Sequence, residues 1–195
     1  MEKLIKKFKE HVIKESKNLN FIHHKWYVKY HLEIVEKISL ELCKKYPKAD
    51  KNLVLLLVWL HDYGKIIDFK NQHKTTLTKG KKKLKEFSFP KHTIEKASSY
   101  VKMIDNKIGL KKATIEVKIV SSADGASHLI GPFYPIYWYE NHKKAIENIM
   151  KENIRKASKD WKEKIVLPEV KKMFKKRHDF LIENSGKIPS KFLKI

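Results

Sequence analysis

Eight consecutive apolar residues, from Leu53 to Leu60, constrain the fold of this chain more than any other segment. The run continues directly into His61 and Asp62, and Gly64 and Lys65 follow. A helix that is apolar on every side has to be buried among other elements. Because the run is about half as long as a membrane-spanning helix, we expect it to lie inside a folded domain.

The rest of the hydrophobic pattern predicts an all-α protein. The chain has 195 residues with only six glycines and six prolines, and apolar residues recur at helical spacing. We therefore expect a single helical domain over residues 1–195. The predicted helices lie near 2–17, 26–46, 51–62, 73–87, 91–105, 112–124, 141–164 and 168–185. Residues 125–140 contain two glycines and two prolines, which favours a loop with short helical turns.

The chain carries a formal net charge of +22 and should attract polyanions. Arg155 and Arg177 are the only arginines among 44 basic residues, whereas arginine is preferred for bidentate phosphate contacts. The lysine content is therefore as consistent with compositional bias as with a nucleic-acid footprint. The single cysteine, Cys43, excludes an internal disulfide, and together with an N-terminus that lacks a secretory signal it predicts a cytoplasmic protein. We expect no membrane partner, and the oligomeric state stays open.

Two predicted helices carry polar side chains within an apolar face. His31 lies in an apolar row that runs from Val28 to Leu42 at spacings of three and four residues. Asp124 follows Val120 at the same spacing and ends an apolar helix, as the His61–Asp62 pair ends another. A single inward histidine is usually a hydrogen-bonded core residue, but an ionised aspartate cannot be buried without a partner.

A shared metal ion would account for His31, His61, Asp62 and Asp124 together. Two imidazoles and two carboxylates form a mixed nitrogen and oxygen set, which suits Mn, Fe, Co, Ni, Zn or Mg more than a soft metal. Helical spacing predicts the faces of these residues and not their distances. The convergence of the four side chains is thus an expectation to be tested on the structure.

The same residues resemble the H…HD…D signature of the HD-domain metal-dependent phosphohydrolases. The segments YHLEIVEKI, WLHDYGK and IVSSADGASHL are similar to the three helices that carry this signature, and WLHDYGK has the HD-x-G-K form. The resemblance covers about residues 20–130. It implies a helical bundle with an HD-type metal-site core at 20–130 and leaves residues 131–195 as a C-terminal helical extension.

The resemblance also implies roles for single residues. His31, His61, Asp62 and Asp124 would be the metal ligands, Asp62 would also be catalytic, and Lys65 would contact a substrate phosphate. A divalent ion lowers the pKa of bound water, so that water can attack phosphorus near neutral pH. We expect one metal ion by default, with a second possible.

The chain also departs from known members of the family. Some members that cleave nucleoside monophosphates have a glutamate at the position of Lys65, and others add two histidines that bind a second metal. His73 and His92 lie in the corresponding interval. We keep His73 as a weaker candidate for substrate binding and favour a surface position for His92. His128, one turn after Asp124, is the other weaker candidate for substrate binding.

Three functions are consistent with these residues. The favoured one is a phosphohydrolase acting on a phosphomonoester or phosphodiester of a small, nucleotide-like substrate. The first alternative is a phosphodiesterase on RNA or single-stranded nucleic acid, and the second is a basic, non-catalytic nucleic-acid-binding protein. No Walker loop or dinucleotide fingerprint occurs.

Two further groups carry aromatic rings, one at residues 133–139 and the other the histidine pair at residues 23–24. For the aromatic group between Phe133 and Tyr139, we favour packing against the last helices over stacking on a base. We expect His23 and His24 to be exposed to solvent.

Overall fold

The computed structural model describes residues 1–186 and 190–191. The prediction of an all-α fold is confirmed, because these residues form helices and no β-strand. The α-helices are α1 (Glu2–Glu15), α2 (Glu33–Lys45), α3 (Lys51–Leu60), α4 (Tyr63–Ile67), α5 (Gln72–Thr75), α6 (Lys81–Glu86), α7 (Lys91–Asn106), α8 (Ile115–Ser127), α9 (Phe133–Glu140), α10 (Ile146–Lys159) and α11 (Pro168–Asn184).

The apolar helix α3 forms the centre of the bundle. It packs against α1, α2, α7 and α8, and its residues from Leu56 to Leu60 are all buried. The Asp50 side chain accepts a hydrogen bond of 3.0 Å from the Leu53 amide and so caps the helix. The hydrophobic surface of α3 thus fixes the positions of the helices that surround it.

Two of the three wide π-helical turns among the described residues extend long helices. Val28–Leu32 leads directly into α2, and Asp160–Lys164 continues α10. A π-helical turn contains one more residue per hydrogen-bonded ring than an α-helical turn, and such turns occur often at functional sites. His31 lies in the first turn and Lys164 ends the second, so both irregular segments bear on the site described below.

The predicted loop at residues 125–140 is wrong in part. Helix α8 continues to Ser127, and α9 occupies Phe133–Glu140 in spite of Pro135. Pro135 is the third residue of α9, where the backbone amide would have no partner inside the helix, so proline removes no hydrogen bond. Gly131 turns the chain ahead of this helix with a left-handed φ of 63°.

Gly64 allows α4 to pack closely on the segment that follows it. A Cβ atom at this position would lie 1.9 Å from the carbonyl oxygen of Gln72 and 2.6 Å from the amide nitrogen of Thr76. The Gly64 amide itself donates a hydrogen bond of 2.8 Å to Thr76 Oγ1. Any side chain at residue 64 would therefore force the backbone of two segments apart.

We expect Gly64→Ala to lower the free energy of unfolding by at least about 2 kcal/mol, because the new methyl group overlaps backbone atoms. Gly109→Ala is the matched control. Gly109 has a φ of +66° and no atom within 4 Å of a new Cβ, so its cost is left-handed strain of about 1 kcal/mol. Urea unfolding followed by circular dichroism measures both variants, and equal losses would contradict the packing argument.

Candidate metal centre

The four predicted ligand residues come together at the meeting point of three helices. His31 Nε2 lies 3.3 Å from Asp62 Oδ2 and 3.7 Å from Asp124 Oδ1. His61 Nε2 lies 3.5 Å and 4.0 Å from the same two oxygens. All four residues are buried. Two imidazole nitrogens and two carboxylate oxygens therefore face one small volume.

His61 and Asp62 are adjacent in the sequence, yet both reach this volume because they lie between the end of α3 and the start of α4. Residues one apart in a regular helix point about 100° from each other. Helix α3 ends at Leu60, and the Asp62 backbone, with φ −112° and ψ 14°, leaves the helical conformation before α4 begins at Tyr63. The change of chain direction turns the Asp62 carboxylate toward the His61 ring.

Hydrogen bonds fix the tautomers of both imidazoles. His61 Nδ1 donates to the Val58 carbonyl oxygen at 2.8 Å. Ser127 Oγ donates to the Asp124 carbonyl oxygen, so this hydroxyl accepts from His31 Nδ1 at 3.1 Å. Nδ1 of each ring therefore carries a proton, and Nε2 of each ring faces the carboxylates. His31 Nε2 also lies within hydrogen-bonding distance of Asp62 Oδ2, at 3.3 Å, and a bound cation would replace that contact. Metal-ligating histidines are held by outer hydrogen bonds of this kind.

The donor set fits a divalent cation. His61 Nε2 is buried and has no hydrogen-bond partner among the described residues. A buried polar atom without a partner costs free energy, and a metal ion bound by its lone pair would remove that cost. His31, His61 and Asp62 together satisfy the spacing of a metal-binding group. Borderline transition metals such as Mn, Fe, Co, Ni and Zn suit these ligands.

Nearby lysines keep both carboxylates ionised. Asp62 Oδ2 accepts hydrogen bonds from Lys65 Nζ at 2.5 Å and from the Tyr27 hydroxyl at 2.8 Å. Burial alone would raise the pKa of Asp62, but the Lys65 ammonium and the neighbouring imidazoles hold that pKa well below its usual range. Asp62 is therefore a carboxylate at neutral pH and can act as a ligand.

Asp124 is neutralised in a similar way by a residue that the sequence analysis missed. Lys164 Nζ donates to Asp124 Oδ2, while Oδ1 of the same carboxylate faces the imidazoles. Burial would raise the pKa of Asp124, yet Lys164 and three histidines keep it well below its usual range. The sequence signal was the four-residue spacing of Lys156, Asp160 and Lys164, which predicts one shared helix face.

The weaker candidates lie in different places. His128 is buried, lines a cavity beside His31, and has its Nε2 3.6 Å from Asp124 Oδ1. The His73 side chain is 63% exposed, pairs with Asp105 through Nδ1 at 3.1 Å, and does not line that cavity. His92 contacts Thr93 in a separate surface pocket.

A cavity of about 630 Å³ opens beside His31, which lines it together with Lys65, His128 and Lys164. Its wall includes aromatic rings from three segments, namely Trp26, Phe69, Phe133 and Tyr137. His23, expected to be exposed, instead lines the cavity beside Glu140. Within the aromatic group Tyr134 is buried, whereas Phe133 and Tyr137 face the cavity, so the packing interpretation is correct for only part of the group.

A family model described as HD domain matches residues 28–128, which is half of the chain. The chain belongs to the HD domain family. The match begins at the π-helical turn of His31 and ends at His128, and it supports a metal-dependent hydrolase. No curated protein and no solved structure matched in the two other comparisons. No helix in the described part of this HD-domain chain has the length and apolarity that crossing a membrane requires.

We expect Lys164→Met to destabilise the metal-free HD domain by about 3 kcal/mol, because Asp124 would remain as a buried charge without its ammonium partner. Lys162→Met in the same π-helical turn is the matched control, since Lys162 is exposed. Unfolding in urea measures both variants in the presence of a chelator. Added Co²⁺ should recover part of the loss, and a Lys164→Met protein as stable as the control would contradict the neutralising role.

Proposed function

We propose that this HD-domain protein hydrolyses a phosphate ester of a small nucleotide. One observation supports this most strongly: His31 lines a cavity together with Lys65 and Lys164, the partners of Asp62 and Asp124, and aromatic rings form much of the remaining wall. A volume of about 630 Å³ lies within the range of small-molecule sites. Lysines suit a phosphate group, and the rings suit a planar base.

The part of the cavity beside His31 and Lys65 suits the phosphate group. A divalent cation held by His31, His61, Asp62 and Asp124 would lower the pKa of water and neutralise phosphate oxygens. Lys65 lines the cavity one turn beyond Asp62, so its ammonium can bind a phosphate oxygen while charge builds in the transition state. The Tyr27 hydroxyl donates to Asp62 and so holds that carboxylate in its orientation.

Ring contacts connect this part of the cavity to its far wall. The His128 ring lies 4.2 Å from the Phe133 ring, and Phe133 lies 5.9 Å from Trp26, measured between centroids. Phe69, which is 42% exposed, also lines the cavity, and its ring centroid lies 5.3 Å from that of His23. A planar base bound between these rings would bury its faces, and stacking on an aromatic ring stabilises a base by about 1–3 kcal/mol.

Glu140 offers hydrogen-bond acceptors at this far wall. Its carboxylate accepts from Trp26 Nε1 at 2.7 Å and lies 3.0 Å from His23 Nδ1. A carboxylate has about four lone-pair positions, so it can still accept from a ligand. Guanine presents two neighbouring N–H donors on its Watson–Crick edge, whereas adenine presents one amino group there. The wall therefore favours a guanine nucleotide among the possible substrates.

The size of the cavity favours the nucleotide over the two alternative functions. A single-stranded nucleic acid needs an open groove with aromatic platforms along a charged track. Here the aromatic rings of Trp26, Phe69, Phe133 and Tyr137 gather around one cavity of about 630 Å³. We therefore rank hydrolysis of RNA and simple nucleic-acid binding below hydrolysis of a small substrate.

The test is an activity panel on protein loaded with Mn²⁺ or Co²⁺. Nucleoside monophosphates, nitrophenyl mono- and diesters, cyclic dinucleotides and short RNA are assayed at two salt concentrations. We expect turnover of a small substrate, and Asp62→Asn should lower it more than about 100-fold because a ligand is lost. Asp179→Asn is the matched control, since Asp179 is an exposed aspartate of α11 that directly follows a histidine, as Asp62 does.

Each alternative has its own outcome in this panel. Turnover confined to RNA would support the phosphodiesterase, and loaded protein that binds RNA without any turnover would support the non-catalytic binder. Equal activity of the Asp62→Asn and Asp179→Asn proteins would contradict the catalytic assignment.

Glu140→Gln tests the base preference separately. Glutamine replaces one acceptor oxygen by an amino group, which would oppose the N–H donors of guanine. We expect GMP to bind about 10-fold more weakly to the variant, since a bidentate contact contributes about 1–3 kcal/mol, while AMP binding should change little. Calorimetric titration measures both ligands, and Glu147→Gln on the exposed face of α10 is the matched control. An unchanged GMP affinity would contradict the contact.

A further inference from the structure

His128 resembles the two ligand histidines in its burial and in the direction of its Nε2 atom. It is buried, and its Nε2 lies 3.6 Å from Asp124 Oδ1, which is beyond hydrogen-bonding distance. Its ring is parallel to that of His31, with the centroids 5.2 Å apart and an interplanar angle of 6°. Nε2 of His128 is thus directed at the Asp124 carboxylate, which also faces Nε2 of His31 and of His61.

The opposite edge of His128 is fixed by a buried carboxylate. Nδ1 lies 2.8 Å from Asp160 Oδ2, and Asp160 is itself buried in the π-helical turn that follows α10. Lys156 also donates to Asp160 and lies 3.1 Å from His128 Nδ1. The Asp160 carboxylate can accept one hydrogen bond from the Lys156 ammonium and another from the His128 ring. His128 Nδ1 therefore carries the proton, and His128 Nε2 carries the lone pair.

All three imidazoles therefore have the same tautomer. His31 donates through Nδ1 to a serine hydroxyl, His61 to a backbone carbonyl and His128 to a carboxylate. The Nε2 atoms of His31 and His61 lie near both Asp62 and Asp124, and that of His128 lies near Asp124. A carboxylate–histidine pair is a common arrangement behind a metal-ligating imidazole, because the carboxylate orients the ring and raises its basicity.

We propose that His128 is a fifth protein ligand of the metal ion and that Asp160 positions it. His31, Asp124 and His128 by themselves satisfy the spacing of a metal-binding group. This inference rests on the metal site of the proposed function. Three imidazole nitrogens and two carboxylate oxygens select a borderline transition-metal ion such as Co²⁺, Fe²⁺ or Zn²⁺ over Mg²⁺, which prefers oxygen ligands.

The positioning residue comes from outside the matched part of the family. The HD domain match ends at residue 128, whereas Asp160 and its partner Lys156 belong to the extension. They lie four residues apart on one helix face, in the same row as Lys164. The C-terminal extension thus completes the outer shell of the metal site in this chain.

The number of ligated imidazoles can be counted in the wild-type protein. In a paramagnetic Co²⁺ derivative, each ligated ring gives a strongly shifted, solvent-exchangeable proton NMR signal from its Nδ1–H group. We expect three such signals, and two in His128→Ala. A wild-type protein that binds Co²⁺ and shows only two signals would overturn the fifth ligand and leave the proposed hydrolase intact. Protein that takes up no Co²⁺ would overturn both.

Metal affinity tests Asp160 separately from His128. We expect His128→Ala to weaken Co²⁺ binding by about 100-fold and Asp160→Asn by about 10- to 100-fold, measured by competition with a chromophoric chelator. His142→Ala and Asp179→Asn, both at exposed positions, are the matched controls. Thermal melts verify that each variant folds. Affinities equal to the controls in folded variants would overturn the positioning role.

Discussion

The neutralisation of two buried carboxylates underlies the whole site. Asp62 and Asp124 lie close to each other within an apolar bundle, where neither charge could remain without a partner. Lys65 and Lys164 supply the opposite charges, one from the helix that follows the HD pair and the other from the C-terminal extension. Because both carboxylates stay ionised, the site keeps the donor atoms that a divalent cation requires.

Local departures from regular α-helix determine where the donor atoms lie. His31 belongs to a π-helical turn, and Asp62 marks the break between α3 and α4. Asp124 and His128, in contrast, lie one turn apart near the end of α8, where regular spacing aligns them. The apolar packing of α3 holds these segments against one another, so the geometry of the site depends on the core.

Much of the fold and the inner site was predictable from the sequence because both rest on helical periodicity. The inward faces of His31 and Asp124 follow from spacing within single helices. Lys164 and His23 could not be placed in this way, since their partners Asp124 and Glu140 are 40 and 117 residues away. The composition of residues 125–140 predicts a loop with short helical turns, whereas Phe133–Glu140 is a helix because Pro135 lies in its first turn and removes no hydrogen bond.

The row formed by Lys156, Asp160 and Lys164 ties the extension to the HD-domain part of the molecule by charge as well as by packing. Such a segment cannot be exchanged between relatives as an independent module, because a replacement lacking the row would leave Asp124 and His128 without their outer partners. During evolution, a substitution in one half of this chain therefore has to be matched by a substitution in the other half. Residues at 156, 160 and 164 should covary with residues at 124 and 128 wherever the extension is retained.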